Sequence, residues 1–415
     1  MQSEIEKPGA ITFSIILVLL FVLAGCQRPV PLKGTWEGAL HRSDNKNIPF
    51  RAFVDLEPEV PSGYFLVGDE KTPIPEIEFR GDSLNFIFSE YSAAMRGVVR
   101  GAHWSGNYIR YRTKAIEVPF SAVAESPNEE QQRPPAPPAI PLVGKFQAFL
   151  HEGNTIDSST VATFWTKNDT VFGTLIAPDG DYGLNVGVQT GTSVSLSRFT
   201  GWQAQLFEFH QVGSFWRGTF YVRNDPSLQL TLEPRPTLKE EVSPARETRV
   251  KNPREQFKFS GITADGDTLT NSSQRFRGKA LIVDIMGTWC HNCMDEAPVL
   301  QQLYEEYKDR GLEVVGLSFE INDDINQATT NLRLYQKRYG LTFPVLFCGS
   351  TDKKYVDPAL RSQLDNFYAY PTTLFINKKG RVQFVRVGFK GPGTGEEFQT
   401  EVNHLYEIVK KITRP

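Results

Sequence analysis

Between residues 34 and 123 the apolar positions come in short runs, near 50–56, 64–67, 77–79, 84–88, 97–99 and 108–111, rich in β-branched and aromatic side chains. Gly, Pro, Asp and Asn separate them, which predicts short antiparallel strands joined by turns. The stretch from Glu125 to Pro141, with Gln131, Gln132 and repeated prolines, breaks the pattern and reads as an extended linker. The strand pattern then starts again. Gly34-Thr35-Trp36 returns as Gly144-Lys145-Phe146, and Gly63-Tyr64-Phe65-Leu66 as Gly173-Thr174-Leu175-Ile176. Gly81-Asp82-Ser83-Leu84 returns as Gly191-Thr192-Ser193-Val194, and Trp104-Ser105-Gly106-Asn107-Tyr108 as Trp216-Arg217-Gly218-Thr219-Phe220. An offset held at about 110 residues through these matches points to a duplication. Each copy, of about 90 residues, can enclose one core as a small antiparallel sandwich or barrel. Whether the two pack as one body stays open. Their aromatics read as core, and neither copy holds a catalytic constellation. Pro178-Asp179-Gly180-Asp181 reads as a hairpin turn, with a contact loop as the alternative.

From about residue 255 the period changes. Strands are expected at 280–285, 312–319, 342–347, 372–376 and 382–387, and helices from Cys293 to Arg310 and at 323–339 and 396–412. Asn377-Lys378-Lys379-Gly380 is a hairpin turn. This alternation predicts an α/β domain. The expected organisation is therefore multidomain: a leader at 1–25, a first β module at 32–123, a Pro-rich linker at 124–141, a second β module at 142–233, a charged linker at 234–254 and an α/β domain at 255–415.

Composition narrows the function. With 40% apolar and 22% charged residues, extended disorder is not expected. A net charge of −3 argues against a general nucleic-acid binder. The six histidines are scattered and no pair has zinc-ligand spacing, so no metal site is expected. Four cysteines, at 26, 290, 293 and 348, exclude a disulfide-rich scaffold.

The first cysteine follows a short apolar run, residues 10–24, that is below the ~20 residues of a membrane-spanning helix. The run ends in Leu23-Ala24-Gly25-Cys26. Small residues before a cysteine after an apolar core resemble the lipobox of a bacterial lipoprotein signal. That resemblance implies that Cys26 becomes the first mature residue and carries the lipid. It also implies a cell-envelope location facing the periplasm, where disulfide chemistry is possible. Gln27 follows and no acidic run does, so the outer membrane is the expected address. An uncleaved anchor or a buried strand is the alternative.

Cys290 and Cys293 stand two apart where a buried strand meets a helix. Amides and the dipole at a helix N-terminus favour a thiolate on the first cysteine. The second, one turn on, can resolve a mixed disulfide. Trp289-Cys290-His291-Asn292-Cys293 after a buried strand, with Tyr370-Pro371-Thr372-Thr373 before the late hairpin, resembles the thioredoxin-fold disulfide oxidoreductases of the TlpA/ResA type. The resemblance covers about 160 residues and implies that Pro371 is cis and faces the disulfide. It implies Trp289, Tyr370 and Thr372 as substrate contacts, the latter two through their backbone groups. Asp284 matches the buried aspartate of thioredoxin, and Glu296 the active-site glutamate of the ResA group. A buried carboxylate of raised pKa can accept the resolving thiol's proton.

His291 could stabilise the Cys290 thiolate when protonated, or be a solvated loop side chain. Cys348 reads as a structural thiol. The implied function is reduction of protein disulfides by the Cys290–Cys293 dithiol, with no further cofactor, recharged by a thiol electron donor in the membrane. The alternatives are a thiol peroxidase, which Thr288 brings to mind, and a binding lipoprotein whose β modules carry the main role.

Overall fold

The computed structural model describes residues 31–111, 115–125, 140–235 and 247–414. The leader, Cys26 and most of both linkers lie outside the described residues. The first module is a nine-stranded antiparallel meander running from Lys33–His41 to Ile116–Ala124. Its last strand returns to pair with its first, Gly38 opposite Ala122. The ring is open at one seam, between the hydrogen-bonded neighbours that end in Glu70–Pro73 and those that begin with Glu76–Arg80.

The second module repeats this path, from Gly144–Glu152 to Leu228–Pro234. Here Thr170–Ala177 pairs with both Thr155–Lys167 and Asn185–Thr190, so the seam is shut and the module is a closed barrel. Each of the four recurring sequence segments occupies the same strand in both meanders.

Alternation explains the cores. In Asn47–Asp55, Ile48, Phe50, Ala52 and Val54 are buried while their neighbours face outward, the period of a strand with one face to a core. The aromatics fill the interior: Trp36, Phe50, Phe86, Trp104 and Phe120 contact one another edge-on or tilted. One ring is borrowed. Phe199, from the second module, lies 4.8 Å from Phe65, 5.4 Å from Phe50 and 5.7 Å from Tyr108 of the first. The Tyr108 hydroxyl donates to the Gly201 carbonyl at 2.9 Å. The two modules therefore share a core and pack as one body.

The C-terminal domain has a seven-stranded sheet. Its central strand, Leu312–Glu320, runs parallel to Ala280–Met286 on one side and to Val345–Ser350 on the other; Thr372–Ile376 and Val382–Val387 continue it antiparallel beyond Ala280–Met286. Every residue of Ala280–Met286 and Leu312–Glu320 is buried, as expected for strands covered on both faces. Helices span His291–Tyr307, Ile325–Tyr339 and Glu396–Ile412. The helix His291–Tyr307 runs on through Pro298. Arg249–Val250, within the stretch read as linker, pairs with Leu364–Asp365 and so already belongs to this domain.

Candidate active site

A loop and a helix start set the two cysteines. The loop from Gly287 to Cys290 is tied down by Glu320, whose buried carboxylate accepts the Thr288 N–H at 3.1 Å, the Thr288 hydroxyl at 2.7 Å and the Ser318 hydroxyl at 2.5 Å. The Trp289 indole N–H donates to the Phe319 carbonyl at 2.9 Å. Gly287 is required there, since a Cβ would stand 2.3 Å from the Trp289 indole nitrogen. Cys290 is then the N-cap of His291–Tyr307, and its Sγ accepts the Cys293 N–H at 3.2 Å. Cys290 and Cys293 are joined as a disulfide, their Cα atoms 5.2 Å apart.

Trp289 and Tyr370 meet beside this turn. The Trp289 and Tyr370 rings meet at 5.6 Å, and the Tyr370-Pro371 peptide is cis. The Gly388 N–H donates to the Pro371 carbonyl at 2.8 Å, which brings the loop at 388–391 alongside. Thr372 is fully buried and its hydroxyl donates to the Ala369 carbonyl at 2.8 Å, so its side chain supports the proline loop from behind.

The two candidate carboxyls lie on the sheet side of the helix. Glu296 is one turn from Cys293, on the same helix face. It is fully buried, with one oxygen accepting the Thr373 hydroxyl at 2.9 Å and the other without a hydrogen-bond partner. Burial pushes its pKa up to about 7, against the opposing pull of Arg386 and Thr373. Asp284 sits opposite Thr373 in the strand register. Burial, then the charge of Glu296, raises its carboxyl well above the usual range. Tyr335, not foreseen from sequence, donates its hydroxyl to the Cys293 carbonyl at 2.8 Å.

The cysteine motif is closed off from solvent: Cys290 is 6% exposed and Cys293 fully buried. The cover comes from the β modules. Trp202 of the second module lies 6.3 Å from Trp289, and the Arg110 guanidinium of the first stacks on Trp202 at 3.9 Å. The Tyr91 hydroxyl of the first module reaches the Met294 sulfur at 3.0 Å. Of the two readings of His291, the surroundings favour neither a cation nor a solvated loop side chain. Burial, and then Arg198, lower its pKa to about 3, with Glu70 opposing. Its Nε2 is 3.2 Å from an oxygen of Asp295, whose own pKa burial and Asp181 raise well above the usual range. Both directions disfavour an ion pair between the two side chains.

These groups form a junction of all three units. Arg198, 1% exposed in its side chain, forms a bidentate pair with Glu70 of the first module, both contacts at 2.7 Å. A cavity of about 350 Å³ opens beside them, lined by Glu70, Arg198, Trp202, His291, Met294 and Asp295 among others. Cys348, half-buried on the far side of the sheet, has its thiol pKa pushed up to about 12 by burial and stays protonated. Among the described residues no helix is long and apolar enough to cross a membrane.

A dithiol motif capping a helix, beside a cis-proline loop at the edge of a mixed sheet, defines a thioredoxin-fold oxidoreductase. The sequence pattern of the AhpC/TSA family matches residues 251–385. The thioredoxin-like protein YneN of Bacillus subtilis (strain 168) is 30% identical over 143 residues, covering 34% of this chain and 75% of that one. The thiol-disulfide oxidoreductase ResA of Geobacillus thermodenitrificans (strain NG80-2) is 29% identical over 116 residues, covering 27% of this chain and 57% of that one. A solved thioredoxin-family thiol:disulfide interchange protein from Chlorobium tepidum TLS is 25% identical, covers 40% of this chain and 100% of its own, and superposes with a TM-score of 0.30. The chain belongs to the TlpA/ResA-like family of thioredoxin-fold oxidoreductases.

Proposed function

We propose that the protein reduces protein disulfides in the cell envelope through the Cys290/Cys293 dithiol. The observation that carries this reading is the cysteine pair capping a helix, with an ionisable carboxyl of pKa about 7 one turn beneath it. In the reduced protein the Cys290 thiolate, favoured by the free amides of the helix start, attacks a substrate disulfide. One substrate sulfur leaves as a thiolate and takes up a proton; the other is bonded to Cys290. Cys293 then gives its proton to Glu296 and attacks the Cys290 sulfur. The Cys290–Cys293 bond forms, the mixed disulfide breaks, and the second substrate sulfur leaves. Two electrons have passed from dithiol to substrate.

Glu296 suits the proton step because burial raises its pKa to about 7. Asp284, beside it, is raised well above the usual range by burial and then by the charge of Glu296. Trp289 and the backbone around Tyr370, Pro371 and Thr372 would align the substrate. A thiol donor in the membrane returns the electrons, and a lipid on Cys26 keeps the protein at the bilayer, facing the periplasm from the outer membrane.

The AhpC/TSA match raises the peroxidase reading again. The geometry favours the dithiol: the Thr288 hydroxyl is committed to Glu320, and both cysteines are partnered with each other. The β modules close over this site, which supports a role in serving it rather than an independent binding function.

The direct test is insulin reduction with two variants. Cys290→Ser should abolish it, and Cys293→Ser should accumulate mixed disulfides. Full insulin reduction by Cys290→Ser would refute the assignment.

A further inference from the structure

The turn at 178–181 does more than join two strands. Its hairpin pairs Ile176 with Asp181 and Ala177 with Gly180, and it projects from the second module toward the disulfide. It touches each of the three loops that border Cys290. On the cysteine loop, the Asn292 amide donates to the Asp179 carbonyl at 3.4 Å. On the proline loop, the Tyr368 hydroxyl donates to the Pro178 carbonyl at 3.5 Å. On the third, the Gly391 N–H donates to the Asp181 carboxylate at 2.6 Å, while the other carboxylate oxygen accepts the Gly183 N–H at 2.6 Å.

The fit is close enough to require glycine on both sides. A Cβ on Gly180, at φ +123°, would stand 1.8 Å from the Asn292 amide nitrogen. A Cβ on Gly388, at φ +72°, would stand 2.5 Å from the Asp179 carbonyl carbon and 2.6 Å from the Gly180 nitrogen. Backbone from one unit thus lies directly against backbone of the other. No cysteine stands between Cys26 and Cys290, so the segment seated here offers nothing to reduce.

We propose that the hairpin at 178–181 is a built-in occupant of the protein-substrate groove, and that it sets specificity by size. This rests on the reading of the protein as a disulfide reductase. A small disulfide reaches Cys290 past the closed hairpin. A protein disulfide has to displace the hairpin, and only chains that bind the groove better than residues 178–181 are reduced quickly. Asp181 is the tie that holds the hairpin in, and Gly180 and Gly388 are the residues that let it seat.

The experiment compares turnover of 2-hydroxyethyl disulfide and of insulin by the full chain, with dithiothreitol as electron source. The variants are Asp181→Ala, which cuts the tie, and Gly388→Ala, which wedges the hairpin out from the opposite side. Removing a charged hydrogen-bond partner should shift the closed state enough to raise the insulin-to-small-disulfide rate ratio about tenfold or more in Asp181→Ala. Gly388→Ala should shift it the same way; since Gly388 is outside the barrel, agreement excludes barrel unfolding as the cause. In the wild type, reduced Cys290 should react with iodoacetamide far faster than with a large polyethylene-glycol maleimide, relative to a free thiol. Equal relative reactivity toward both reagents, or an unchanged rate ratio in both variants, would overturn the proposal. If the wild type reduces neither disulfide, the reductase reading itself fails.

Discussion

Asp295 and Glu296 are adjacent in sequence and serve opposite sides of the same helix. One residue turns a helix by about 100°, so Glu296 faces the sheet while Asp295 faces the β modules. Glu296 meets Thr373 and the neighbouring Asp284 inside its own domain. Asp295 meets His291, and its carboxyl is raised by burial and by Asp181 of the second module. Glu296 is fully buried while the Asp295 side chain stays 24% exposed, and both carboxyls are shifted toward the protonated form. The difference lies in what surrounds them. Beneath the disulfide, a carboxyl raised to about 7 suits the proton step proposed above. On the other face, a carboxyl raised by burial and by Asp181 sits at the joint between units.

Substituting each neighbour separates the two roles. The larger effect belongs to Glu296. The rate at which Cys293 resolves a mixed disulfide should rise with pH through about 7 in the wild type, as Glu296 loses its proton. Glu296→Gln should remove that rise and slow resolution at pH 7 by roughly 10²-fold, the usual scale of one general base. Stopped-flow rates across pH 5–9 would show it; an unchanged profile would leave the proton to bulk water.

The smaller effect belongs to Asp295 and is read in stability. Its folded pKa lies above its unfolded value, so above about pH 4 the native state holds a proton that the unfolded chain has released. The native state binds more protons, and stability therefore falls as pH rises through that window. Asp295→Asn keeps the shape and removes the loss. The variant should be more stable than wild type at pH 7, with the gap closing by pH 4. Guanidinium unfolding at the two pH values would measure it. A variant less stable at pH 7 would mean that Asp295 is an anion paired with His291.

Much of this was readable along the chain. The helix at 396–412 and the strands at 372–376 and 382–387 lie where periodicity places them, and the four repeated segments fall on equivalent strands. The cysteine pair is legible in its spacing at a strand-to-helix junction, while the cis proline and the two buried carboxyls are implied only by the family resemblance. What escaped depends on distant pairing. Closure of the second ring and the seam in the first follow from how Thr170–Ala177 and Glu70–Pro73 find their partners. Phe199 reads as an ordinary inward strand residue until it is seen in the first module's core. The cover over Cys290 escaped because Trp202 and Tyr91 sit on turns far back in the chain. The junction residues Glu70, Asp181 and Arg198 carry no local signal, since a charged residue in a short strand normally faces water.

His291 bears on the direction proposed for the chemistry. A dithiol becomes a strong oxidant when its reduced form is specially stabilised. A protonated histidine between the cysteines would do that, but burial and Arg198 lower the His291 pKa to about 3. The helix start is then the main support of the Cys290 thiolate, and the reductase proposal expects a reducing pair. The most direct test is the reduction potential of Cys290–Cys293 in the full chain, measured by thiol trapping in dithiothreitol buffers. A value near ~−270 mV, like that of thioredoxin, is expected, and a value near ~−120 mV would contradict the reductase account.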